Sequence, residues 1–125
     1  MLENRDAAAN LAVKNLETAK KFYEDTLGLK QIDSEDNELI VFRSGNSKLN
    51  VYRSQYAGTN KATAVTWTVG DDFEGVMRAL KAKGVSFEHY DMPGLERAGD
   101  AYVSGDMKVA WFKDPDGNIL NIVSR

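Results

Sequence analysis

Cysteine is absent from the 125 residues, which excludes disulfides, a thiolate nucleophile and cysteine metal sites. Proline occurs twice, so little of the chain is barred from regular structure. There is one histidine, His89, so no histidine cluster can gather around a metal ion. No stretch of some twenty apolar residues could cross a membrane, and the start lacks a signal-peptide pattern. A soluble, cytoplasmic protein is expected. No basic stripe interrupts the interspersed charges, which sum to −3, and this counts against nucleic acid or an anionic membrane surface as a partner. Hydrophobic residues at 42% are enough for a real core in one domain of this length.

What is present is organised around Trp111 to Val123. β-formers flank Asp114-Pro115-Asp116-Gly117-Asn118, in which Pro115 suits the first central position of a turn. The stretch reads strand, tight turn, strand. An echo lies in Phe42 to Val51, with Ser44-Gly45-Asn46-Ser47 as the turn. Each copy ends in an apolar-Asn-apolar triplet, Leu49-Asn50-Val51 and Leu120-Asn121-Ile122. One unit is built twice.

In chain order, Ala8 to Lys14 alternates as a strand, Asn15 can cap a helix, and Leu16, Ala19, Phe22, Tyr23 and Leu27 recur at helical spacing up to Gly28. Leu29 to Ser34, Leu39 to Arg43 and Lys48 to Arg53 follow as strands. Residues 54–61 are a linker. A second strand–helix pair then begins, with Val65, Trp67 and Val69 alternating and Phe73, Val76, Met77 and Leu80 striping a helix that Gly84 ends. Asp71 and Glu74 have capping-box separation. Val85 to Tyr90 reads as a strand and Asp91 to Gly99 as an irregular loop. Ala101 to Val103, Val109 to Lys113 and Ile119 to Val123 complete the sheet. The prediction is α+β: two βαβββ modules, about 7–53 and 62–124, pairing into a curved sheet around a cleft.

The duplicated unit, with Val13-Lys14-Asn15-Leu16-Glu17-Thr18-Ala19-Lys20-Lys21-Phe22-Tyr23-Glu24-Asp25-Thr26-Leu27-Gly28-Leu29 early and Asp114-Pro115-Asp116-Gly117-Asn118 late, resembles the vicinal oxygen chelate superfamily of glyoxalases, bleomycin-resistance proteins and extradiol dioxygenases. That resemblance implies a divalent ion held by His, Gln or Glu in the members that do metal chemistry. Counted from the two motifs, the four ligand places fall on Ala8, Asn50, Ala64 and Asn121. Alanine has no donor atom, and a neutral amide oxygen is a poor ligand for zinc, nickel or iron. No metal and no cofactor are expected.

Strand parity separates two faces. Ala8, Asn10, Ala12, Asn50, Tyr52, Ala64, Thr66, Thr68 and Asn121 share one parity and are small or polar, as a cleft lining would be. Leu11, Val13, Leu49, Val51, Val65, Trp67, Val69, Leu120 and Ile122 share the other and are bulky and apolar. Trp111 and Phe112 must face opposite sides of their strand. The ligand-binding candidates are Asn10, Asn50, Tyr52, Thr66, Thr68, Trp111 and Asn121, which suit a neutral polar molecule. The loop from Asp91 to Asp100 is expected to act as a lid. The acidic run Asp33, Glu35, Asp36 and Glu38 lacks the glycine and spacing of a calcium loop and reads as a solvated turn.

The leading functional reading is a metal-independent binder of a small organic molecule, with the homodimer that bleomycin-resistance proteins imply. The alternative is a lyase, isomerase or dioxygenase of the glyoxalase type, using non-standard ligands or, without metal, His89 as the proton carrier with Asp91 or Glu96. A purely structural module would fill its cleft with its own side chains, against which Ala8, Ala12 and Ala64 argue.

Overall fold

Alternating residues bury one face of several strands, and the two sheets that result are mixed rather than uniform. The computed structural model describes residues 1–125, in two compact units, Met1–Thr59 and Asn60–Arg125. No helix is long and apolar enough to cross a membrane.

In the first unit, β1 (Ala8–Val13), β2 (Lys30–Glu35), β3 (Leu39–Ser44) and β4 (Ser47–Arg53) lie in the order β1-β4-β3-β2. The β1–β4 pair is parallel and the others antiparallel. Helix α1 (Leu16–Lys21) connects β1 to β2, and the Asn15 side chain caps it by accepting from the Thr18 N–H at 3.1 Å. Leu11, Val13, Phe42, Leu49 and Val51 are buried together with Ala19 and Tyr23, whose ring lies 5.8 Å from that of Phe42. Each of the buried leucine, valine and phenylalanine side chains contributes about 1.5–3 kcal/mol.

The predicted helix does not run regularly to Leu27. It changes at Phe22–Thr26 into a π-turn, closed by the Leu27 N–H on the Phe22 carbonyl. The wider turn lets adjacent Phe22 and Tyr23 turn inward, Tyr23 fully and Phe22 halfway, with their rings edge to face. Gly28, at φ +77°, then redirects the chain.

In the second unit, β5 (Thr63–Thr68), β6 (Glu96–Ala98), β7 (Ala101–Ser104), β8 (Met107–Lys113) and β9 (Ile119–Val123) lie in the order β5-β9-β8-β7-β6, with β5 and β9 parallel. Strands β5-β9-β8-β7 repeat the first unit's β1-β4-β3-β2, and β6 is an addition at the edge. Trp67 stacks on Phe112 at 6.4 Å, and Phe87 meets the same ring edge-on, on the face shared with Leu120 and Ile122.

Three expectations need correction here. The capping box is not formed: a 3₁₀ turn at Gly70–Asp72 precedes helix α2 (Phe73–Ala82), and Glu74 is drawn to Lys108 at 2.8 Å instead of back to the chain. Val85 to Tyr90 is no strand, because β7 pairs with Met107 to Val109 of β8 and leaves only one bridge, Glu88 to Trp111. Conversely, the loop read as irregular holds β6, whose three exposed residues carry no alternation to reveal it.

Candidate functional site

On the face of the second sheet opposite Phe112, register brings Thr66, Asn121 and Trp111 into one row across β5, β9 and β8. The Trp111 ring is 8% exposed and meets Tyr90 and Tyr102 edge-on at 5.6 and 5.5 Å. Its indole N–H donates to the Thr63 hydroxyl at 3.1 Å, which leaves that hydroxyl's proton for another acceptor. Tyr102 holds the irregular chain at Tyr90 in place, donating its hydroxyl to the Tyr90 carbonyl at 2.7 Å and accepting from the Tyr90 N–H.

Trp111, Tyr90, Met92 and Ile119 form the apolar part of a cavity of about 390 Å³, and Thr63 a polar part. Lys61 and Asp91 add one charge of each sign. The Tyr90 hydroxyl is buried and has no partner, and burial pushes its pKa above the ordinary phenol value. Such an orphan costs about 1–3 kcal/mol until something bonds it. Among the ligand-binding candidates, Trp111 alone borders this cavity, and Asp91, offered as a proton carrier, borders it too.

The others are placed as follows. Asn121 is 7% exposed and its carbonyl oxygen is likewise unpartnered. Thr66 and Thr68 are exposed on β5. Asn10 and Asn50, in the first unit, bond each other at 3.2 Å, and Tyr52 is 37% exposed near the end of β4. Sequence reasoning missed Tyr90, Thr63 and Ile119 and had Met92 only as part of a lid. The usable signal was the Trp111 parity, since Ile119 faces the same side two positions before Asn121.

Residues 7–122 match the model of the glyoxalase/bleomycin resistance protein/dioxygenase superfamily. The chain belongs to that superfamily. No curated protein matches it in sequence. Among solved structures, a glyoxalase/bleomycin resistance protein/dioxygenase from Alicyclobacillus acidocaldarius superposes with a TM-score of 0.73 at 19% identity, covering 96% of this chain and 90% of that one. Lactoylglutathione lyase from Agrobacterium tumefaciens gives 0.69 at 17%, covering 96% and 92%. An antibiotic binding protein from a Streptomyces species gives 0.67 at 19%, covering 98% and 96%. At these identities the likeness is one of fold.

The superfamily's metal does not fit the residues found here. Ala8 and Ala64 supply no donor, the Asn50 amide nitrogen is engaged with Asn10, and no group of three His, Asp or Glu side chains comes together anywhere. His89 is exposed and borders neither the aromatic cavity nor the groove of about 260 Å³ beside α2. Its Nε2 lies 2.8 Å from Asp100 and 3.2 Å from the Arg97 guanidinium. Lys81 pairs with the other Asp100 oxygen. Together Lys81, chiefly, and His89 hold the Asp100 carboxyl below the usual carboxylate range.

Proposed function

We propose that the protein binds a small, largely neutral aromatic molecule in the cavity beside Trp111, without a metal. The observation that carries this reading is a cavity walled by Trp111, Met92 and Tyr90, the last with a buried hydroxyl that has no partner. An apolar space with a few unsatisfied polar groups selects a flat ring bearing an acceptor. Thr63 has a proton to donate, and Tyr90 can donate or accept. Asn121, in the row beside Trp111, belongs to the same proposal as a further amide contact. The likeness in fold to a protein that binds an antibiotic supports binding as the activity. The reading includes the homodimer that the resemblance to bleomycin-resistance proteins implies.

The test is fluorescence titration with 2-naphthol. Saturable quenching is expected, and W111A should weaken binding about tenfold or more, because a ring contact and its burial together amount to at least about 1.4 kcal/mol. Equal affinity in W111A would overturn the assignment.

A further inference from the structure

Register in the first sheet assembles a feature that the linear sequence hides. Lys30 of β2 pairs with Arg43 of β3, and Arg43 pairs with Lys48 of β4. All three are exposed, and their positions alternate with those of Phe42 and Leu49, so the three cations share the face turned away from the buried one. Directly opposite residues have Cβ atoms about 4.5–5.5 Å apart, and like charges so placed destabilise a sheet. The next strand continues the row with Ala8, which has no charge to offer.

The other strand-borne cations of the protein have partners. Arg53 meets Glu38 at 3.4 Å, Lys108 meets Glu74 at 2.8 Å and Lys113 meets Glu88 at 3.4 Å. Arg97 donates to the Gly99 carbonyl at 2.8 Å. Lys30, Arg43 and Lys48 have none. Of the carboxylates on their face, Asp33 pairs with Val41 in the adjacent row and Glu35 with Leu39 one row beyond, and neither forms an ion pair with the three cations. In the row beside the cations, Asn50 donates to Asn10 and leaves the Asn10 amide protons uncommitted.

We propose that this row is an oxyanion-binding site, taking a phosphate or pyrophosphate group, either free or as the anionic end of a small organic molecule. Three cations side by side match the several oxygens of such a group, and Arg43 at the centre can engage two of them at once. Binding would replace two repulsive cross-strand pairs by shared attraction to one anion. The site lies wholly in the first unit and does not depend on the aromatic cavity of the second.

The test is calorimetric titration of the full chain with inorganic pyrophosphate at constant ionic strength. Saturable binding is expected, weakened at least tenfold in R43Q and in K48Q. R53Q is the control, since it removes the same charge from the opposite face of β4. Stability of each variant in sodium chloride alone separates loss of the site from loss of the fold. R43Q should be at least as stable as the parent there, because a repulsion is removed. Phenyl phosphate binding more tightly than inorganic phosphate would assign the site to the head of an organic ligand, and equal binding would assign a free anion; both uphold it. No saturable binding of pyrophosphate, or equal weakening in R53Q, would overturn it.

Discussion

Asp114 shows how much a single side chain can hold. It is 4% exposed, and its Oδ1 accepts from the Asp116 and Asn118 N–H groups at 3.0 and 2.8 Å while Oδ2 accepts from the Asn118 amide at 2.8 Å. The Gly117 N–H closes the turn on the Asp114 carbonyl at 3.0 Å. D114A would leave three donors wanting, and urea denaturation should show a loss of about 2–4 kcal/mol. Asp100 supplies a pH dependence instead. Its carboxyl is held below the usual range by Lys81 and then His89, so the unfolded chain binds its proton more readily. The stabilisation is therefore present above the ordinary carboxylate pKa and is lost as pH falls through the lowered one. Thermal melts of D100N should lack that part of the acid-side decline. The turn was legible from residues because proline, aspartate and glycine each have one conformational role there. Tyr90 was not, since its place depends on a hydroxyl of Tyr102 that comes twelve residues later.

At the scale of elements, local signals succeeded where one cause acts alone. Asn15 caps α1 through the Thr18 N–H, and N15A should cost about 1 kcal/mol in thermal or urea unfolding. Alternation found β1 and β5, and β-forming runs on either side of the two turns found β3, β4, β8 and β9. It failed for β6, which is exposed throughout, and misled at Val85 to Tyr90, where β-forming residues meet a sheet edge already shared with β7. The π-turn after α1 was invisible because helical spacing tolerates one extra residue per turn. The cation row of β2, β3 and β4 was invisible for a related reason: only the register brings those three residues side by side.

For the whole molecule, the duplication was readable from two short echoes, and both sheets carry it as β1-β4-β3-β2 and β5-β9-β8-β7. Family membership follows from the match over residues 7–122. The cavity was less readable, because its lining comes from a linker, an irregular segment and three strands, and only Trp111 of that lining stood among the ligand-binding candidates. What unites these levels is a superfamily fold in which the ligand places implied by the resemblance fall on two alanines and two asparagines, with an aromatic cavity lined in part by Tyr90, whose buried hydroxyl is unsatisfied. Binding should therefore need no metal. The most direct measurement is the 2-naphthol titration of chelator-stripped protein, followed by tryptophan fluorescence and repeated with zinc, nickel, manganese or ferrous iron added. Saturable quenching in the stripped protein, with an affinity no metal changes, is the predicted result. Quenching that appears only after a metal binds, more tightly than about micromolar or about −8 kcal/mol, would contradict it.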